Sequence, residues 1–337
     1  MFDCSSEITD FHNAKVRLPK ATQDLLRGQR DANRARVRAG LKAAEKPKPE
    51  RFVPQGSHAM YTINQQPEND YDIDEGVVFL KADLKGLQGG DLCPLEARKR
   101  VCDAVTDPAF SQQPEVRKNC VRIYYSAGHH VDMPVYRQFE DGSGKTSTEL
   151  ASSEWKISDP EAVTRWFNQA VKAKSPDETN GRQMRRVVRQ LKYLCKSRSS
   201  WNMPSGFVLS VLVNETYVAR AGRDDQAFRD TIRTIHSRLH LSLVVRHPVV
   251  AEDLTKTSAD ASMIELRGRL GEMLEHLEVL DDPECTKKAA LRAWAKVFRT
   301  DYFDQALEAL AASLTVFTRT GSAPEEPVEK RGGGRFG

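Results

Sequence analysis

The chain has 337 residues, 39% of them hydrophobic and 29% charged, with a formal net charge of +4 at pH 7. That length carries two domains or one large bilobal one. The mild positive balance suits polyanionic ligands but selects no nucleic-acid partner. Six cysteines (Cys4, Cys93, Cys102, Cys120, Cys195 and Cys285) form no C-x-x-C pair, which argues against a zinc framework and, at this size, against a disulfide scaffold. The acidic start MFDCSSEITD has no apolar core of a signal peptide, and the longest apolar run, GFVLSVLV, is far too short to span a bilayer. A cytoplasmic protein with reduced thiols and no membrane partner is expected.

Residues 20–46 read as one arginine-rich helix, ended by the prolines of KPKPER. The segment QGSHAMYT (55–62) follows. Gly-Ser-His-Ala-Met is also the remnant that tag cleavage leaves at an N-terminus, and its place at 56–60 rules that origin out. It is a plain turn, or a turn opening a short helix. In the second case Gly56 lets backbone amides approach a phosphate, Ser57 donates to it, and the helix start adds partial positive charge.

Strands are expected at DIDEGVVFLKA, VRIYYSA and HVDMPVYRQF, with a helix over Pro94–Thr106 between the first two. Asp72 and Asp74 are two apart on a strand and so project from one face. Asp132 opens another strand, with Val131 and Met133 pointing to the core and Asp132 pointing out beside the pair. Three carboxylates on neighbouring strands suit Mg²⁺ or Mn²⁺ and can hold two such ions for phosphoryl chemistry. Either feature alone, D-x-D or a Gly-Ser turn, is common without a nucleotide site. Their order, G-S then D-x-D then D, narrows the reading. His129 and His130 read as a polar loop entering the strand. DGSGKTST (141–148) ends like a phosphate-binding loop, but Phe139 stands where that motif needs glycine, so a hairpin turn is expected.

From residue 158 the chain turns helical. SDPEAVTRWFNQAVKA opens with a capping box of Ser158 and Glu161. Further helices are expected at 182–198, 206–221, 224–240, 258–281, 284–299 and 301–317, interrupted by the irregular VVRHPVVAEDLTKT. In 182–198, Met184, Val187, Leu191 and Leu194 form an apolar stripe, and Arg185, Arg189, Lys192 and Lys196 a basic one. The Pro/Glu/Gly-rich end is expected to be a disordered tail.

The segments QGSHAMYT, YDIDEGVVF, HHVDMPVY and SDPEAVTRWFNQ together resemble the cGAS/DncV-like nucleotidyltransferases, within the polymerase-β-like superfamily. Its signature is a G-[GS] turn, an acidic-x-acidic strand and a third acidic residue. The resemblance implies an α+β fold: a polymerase-β-like lobe with a mixed sheet and helices, and a helical C-terminal lobe. It places a helical segment over 1–50 packed across both lobes, the catalytic core over 51–157, the helical lobe over 158–318 and a tail over 319–337. It implies that Asp72, Asp74 and Asp132 bind the metals, that Gln55 and Ser57 contact donor phosphates, and that Arg122 lies near the cleft. Lys192 would reach the triphosphate and Ser205 would help hold the donor. Apart from the resemblance, Glu252 and Asp253 in VVAEDLTK are candidates for contact with the acceptor nucleotide. Met60 departs from the family, whose nearest members carry an aromatic residue there.

The implied function is a cyclic di- or trinucleotide synthase that uses ATP or other nucleoside triphosphates in anti-phage (CBASS) signalling. Its Gly337 would be conjugated by an E1/E2-like accessory enzyme, and no nucleic acid would be required. Two rivals stay open: linear transfer of nucleotides to RNA or protein, and a non-catalytic basic scaffold that binds nucleic acid.

Overall fold

The computed structural model describes residues 1–65, 71–86 and 88–308. Gly337, the 319–337 tail and the later part of the expected 301–317 helix lie outside these residues.

The chain opens with α1 (Ser5–Phe11), one π-helical stretch (His12–Val16) and, after Pro19, the long α2 (Lys20–Ala43). The short β1 (Arg51–Gln55) leads through α3 (Gly56–Ala59) towards β2 (Asp72–Leu80). Next comes α4 (Pro94–Val105), with proline in its first turn, where a missing N–H costs nothing. Then follow β3 (Glu115–Val116), β4 (Val121–Tyr124), β5 (His130–Met133), β6 (Val135–Glu140), β7 (Thr146–Ala151) and β8 (Trp155–Ile157).

These strands form one mixed sheet. β1 lies antiparallel to β2, whereas β5 and β6 lie parallel to it. The expected single strand HVDMPVYRQF is divided at Pro134, which has no N–H to give the ladder. Its register on β2 is nevertheless unbroken, with Asp72 opposite His130 before the proline and Val77 opposite Val135 after it. β4 flanks β5 and β7 flanks β6, both antiparallel. The turn 141–145 joins β6 to β7, and Asp141 accepts from the Ser143 and Lys145 amides, so DGSGKTST is a hairpin turn.

α2 and α4 cover one face of the sheet. Leu26, Val37 and Leu41 of α2 and Ala97 and Val101 of α4 bury against Ile73, Val77 and Phe79.

The second half is helical: α5 (Pro160–Lys174), α6 (Gln183–Lys196), α7 (Gly206–Thr216), α8 (Asp224–Leu241), α9 (Ala261–His276) and α10 (Lys287–Phe298). Its core, around Trp294, Phe228 and Phe298, also takes in Ile8, Phe11 and Val16 from the N-terminus. The first helices thus divide between the two halves, α1 with the helical core and α2 with the sheet.

The local readings need three corrections. Asp159, not Ser158, caps α5 by accepting from the Ala162 amide at 2.8 Å, while the Ser158 amide is spent on Thr148. The helix expected over 206–221 stops at Thr216. The one expected over 258–281 begins at Ala261, capped by Asp260, and its last residues tighten into a 3₁₀ turn.

Candidate active site

Alternation along β2 sorts its acidic residues. Ile73 and Glu75 face α2, where Glu75 is fully buried and held by Arg34 at 2.5 and 2.8 Å. Asp72 and Asp74 project from the other face. Parallel pairing sets Asp74 directly opposite Asp132. Val131 and Met133 beside Asp132 are fully buried in the sheet core. The three carboxylates therefore meet on one face of two central strands.

β1 brings the Gly-Ser turn to the same place, because its antiparallel register puts Gln55 opposite Asp74. Gly56 has φ +64°, and a Cβ built on it would fall 2.0 Å from Asp74 Oδ2. Only glycine fits both the backbone conformation and the contact. Gln55 Oε1 accepts from the Tyr136 hydroxyl at 3.0 Å. Ser57 sits in the first turn of α3, and its carbonyl accepts from the Thr62 amide at 2.8 Å.

Positive groups answer the carboxylates. Arg122, opposite Asp132 on β4, makes a two-pronged pair with it at 2.8 and 2.7 Å and lies 3.9 Å from Asp72. His130 opens β5 and pairs through Nε2 with Asp72, which corrects its reading as part of a loop. The Asp72 partner raises the His130 pKa, against the pull of burial. For Asp72, burial pushes upward, yet His130, then Arg122 and Lys196, hold its carboxyl net below the usual range. Asp74 is pushed up to about 7, first by burial and then by Asp132 and Asp72. A half-buried carboxyl flanked by two others is short of positive charge.

That oxygen-only set suits a hard divalent cation. Among the described residues, however, no three His, Cys, Asp or Glu side chains already converge as a ligand cluster. Arg122 and His130 occupy two of the three aspartates instead.

The helical half supplies the other wall. Lys192 of α6 points its ammonium at the Thr62 carbonyl, 2.8 Å away. Burial, with Lys196 and Arg189 nearby, lowers its pKa to about 7, while Asp74 pulls it upward. Lys192 also packs on Gly206, where an added Cβ would lie 2.7 Å from its Cε. Ser205, just before Gly206, caps α7 by accepting from the Val208 amide at 3.3 Å, which leaves its hydroxyl hydrogen to donate. Gln55, Gly56, Ser57, the three aspartates and Arg122 thus gather on the sheet side, and Lys192, packed on Gly206 next to Ser205 and within the field of Asp74, faces them from the helical half. Glu252 is engaged elsewhere, in an ion pair with Lys156 of β8 at 2.6 Å, and Asp253 bridges Arg246 through the backbone. Met60 is 3% exposed in the helical core, so its side chain offers no stacking surface.

Comparison with known proteins agrees with this geometry. The nucleotidyltransferase domain of the cyclic GMP-AMP synthase DncV-like family matches residues 50–136, the span that carries the turn and the three aspartates. Over that span the chain resembles the DncV-like nucleotidyltransferases. A cyclic GMP-AMP synthase of Escherichia albertii is 27% identical over 220 residues, 63% of this chain. The chain spans about half the length of that relative, 47%. The Vibrio cholerae DncV cyclic AMP-GMP synthase, a prokaryotic cGAS homologue, has the same fold, with a TM-score of 0.68 over 88% of this chain and 96% of its own at 16% identity. The same enzyme with the linear intermediate 5' pppA(3',5')pG gives 0.68 over the same shares at 18% identity. Escherichia coli DncV with 3'-deoxy GTP gives 0.65 over 85% and 92%, at 18% identity. The fold is the polymerase-β-like lobe with a helical lobe that the sequence led one to expect.

Two features were beyond the sequence. His130 joins the carboxylates only through the β2–β5 register. The basic stripe of α6 reaches backbone carbonyls of the α3 turn, a contact no local pattern encodes.

Proposed function

We propose that this protein joins nucleoside triphosphates into a cyclic di- or trinucleotide. The observation that carries the reading is the abutment of the Gly56 turn on Asp74, which puts the turn's backbone beside the three carboxylates. Asp72, Asp74 and Asp132 would hold Mg²⁺ or Mn²⁺. Such ions acidify an attacking hydroxyl and offset the charge of leaving pyrophosphate.

The chain's own groups bind and orient. Gly56 and Ser57 offer an amide and a hydroxyl to the triphosphate, and Gln55 is held for the same task by Tyr136. Ser205 would help hold the donor from the helical side, and Lys192, held on the Thr62 carbonyl, adds positive charge beneath the grip. Arg122 and His130 neutralise Asp132 and Asp72 until substrate and cation arrive. The hydroxyl of one nucleotide then displaces pyrophosphate from the α-phosphate of the other, and a second such transfer closes the ring. The linear intermediate captured on the Vibrio cholerae enzyme supports this two-step order.

Resemblance to the DncV-like family supports a messenger role in CBASS anti-phage defence in the cytoplasm, with nucleoside triphosphates as partners. It also supports conjugation of Gly337 by an E1/E2-like enzyme. Incubating the protein with single and paired nucleoside triphosphates and Mg²⁺, followed by mass spectrometry, tests the reaction. Phosphatase-resistant product from the wild type, and none from the Asp72→Asn/Asp74→Asn double variant, is expected. Only phosphatase-sensitive products would select linear transfer instead. Equal product from the double variant would refute catalysis at these aspartates.

A further inference from the structure

The end of α3 is gripped by the helical half, rung by rung. Asn168 of α5 donates to the Ala59 carbonyl at 3.3 Å. Arg185 Nε donates to the Met60 carbonyl at 3.0 Å, and Arg189 to the Tyr61 carbonyl through Nε at 2.9 Å and Nη2 at 2.5 Å. Lys192 donates to the Thr62 carbonyl at 2.8 Å. Four consecutive carbonyls therefore meet four donors from the facing half. Residues 185, 189 and 192 recur at helical spacing on one face of α6. Asn64 returns the contact by donating to the Arg189 carbonyl at 2.7 Å.

Charge sets these cations apart from their neighbour. Arg186, on the same helix, is neutralised by Asp177 at 2.8 Å and Asp224 at 2.5 Å. Arg185, Arg189 and Lys192 have no ion pair with a carboxylate among the described residues. A cation that serves only stability at a buried site is normally paired with an acid. These three instead face carbonyls and leave positive charge under the turn.

The turn they hold is strained and connected. Tyr61 has φ +54°, a left-handed conformation that a bulky residue seldom adopts. The Thr62 amide donates to Ser57 and the Met60 amide to Gly56, at 2.8 and 3.2 Å. A shift of Met60, Tyr61 or Thr62 is thus passed to the two residues beside Asp74.

We infer that Arg185 and Arg189 are positioning residues: with Lys192 as third rung, they hold the Met60–Thr62 backbone and so place the Gly56–Ser57 grip for a triphosphate. What the grip takes rests on the nucleotidyl-transfer reading; the positioning itself does not. The helical half thereby sets the geometry of a site whose carboxylates all belong to the sheet.

Two measurements on the full chain test this. Amide hydrogen exchange without nucleotide reads the turn directly. Arg185→Gln, the milder change, and Arg189→Gln should each speed exchange at Met60, Tyr61 and Thr62 by about tenfold or more, while Val77 in the sheet core stays unchanged. Affinity for a non-hydrolysable GTP analogue should fall by about tenfold or more in the same variants. Adding Tyr61→Gly to Arg189→Gln should recover part of that loss, since glycine removes the strain that Arg189 restrains. A role confined to global stability would not produce this rescue. Unchanged exchange at the three amides in both variants overturns the inference, as does nucleotide affinity within about twofold of wild type in both. A wild type that binds no nucleoside triphosphate, with the exchange result intact, removes the nucleotidyl-transfer reading and leaves the positioning role standing.

Discussion

Gly56 and Asp74 are in backbone-to-carboxylate contact: a single added carbon on Gly56 would sit 2.0 Å from Asp74 Oδ2. The left-handed φ of +64° adds a second reason for glycine. Gly56→Ala must therefore displace either the turn or the carboxylate. The expected result is a stability loss of roughly 1–3 kcal/mol by denaturant unfolding. Product formation should fall by about a hundredfold or more at fixed substrate. Wild-type turnover in Gly56→Ala would show that the turn and the aspartate do not share a task.

Asp74 predicts a pH signature. Its folded pKa of about 7 lies above the ordinary carboxylate value of 3.8. A carboxyl raised on folding favours the fold while it is protonated. That contribution is complete below pH 3.8 and fades as pH rises towards 7. Asp74→Asn keeps the shape and cannot ionise. Without divalent ions, the variant should melt several degrees above wild type at pH 8, and the gap should narrow as pH falls to 5 and close only below pH 3.8. Mg²⁺ at pH 8 should raise the melting temperature of wild type and leave the variant nearly unmoved. Equal melting temperatures at pH 8 would mean that Asp74 is not short of a counter-charge.

What the sequence made legible follows from the range of each interaction. Asp72 and Asp74 share a face because a strand repeats every two residues, and hydrophobic Val131 and Met133 orient Asp132 in the same way. These are local rules. The partners of those aspartates are not local. Arg122 and His130 reach them through the β4–β5 and β2–β5 registers, and register depends on the whole sheet. The basic stripe of α6 was visible as a pattern, but its targets, the carbonyls of Met60, Tyr61 and Thr62, lie more than a hundred residues earlier. Ser158 gave way to Asp159 as a cap because neighbouring residues compete for the same orphan amide, and propensity does not separate them.

Lys196 is the fourth cation of that stripe, one turn beyond Lys192, and it differs from the others. It is exposed, it has no ion pair among the described residues, and it helps hold the Asp72 carboxyl ionised. With Lys192 directed at Thr62, Lys196 is, among the described residues of the stripe, the exposed ammonium whose charge reaches Asp72. Lys196→Ala should raise the KM for nucleoside triphosphate by about five- to tenfold, with kcat and melting temperature little changed. The defect should shrink at high salt, where screening weakens the wild-type contact. An unchanged KM at low salt would place Lys196 outside the substrate field.

His12 couples the N-terminal segment to the positioning ladder. It is fully buried, its Nδ1 lies 3.2 Å from Asn13 Oδ1, and its Nε2 lies 3.5 Å from Arg189 Nη1. Burial, then the Arg189 charge, lowers its pKa to about 3 from an ordinary 6.5. The ring is neutral in the fold, where an unprotonated Nε2 can face a guanidinium that an imidazolium would repel. A histidine depressed on folding costs nothing above pH 6.5. Below that the unfolded chain takes up a proton that the fold refuses, and stability falls until about pH 3. Wild type should lose on the order of 2–4 kcal/mol between pH 7 and pH 4 from this group. His12→Gln removes the titration while keeping a polar side chain, and its unfolding free energy should fall less over the same interval. Parallel pH profiles for the two proteins would show that His12 carries no such penalty and that Arg189 is held without reference to its charge.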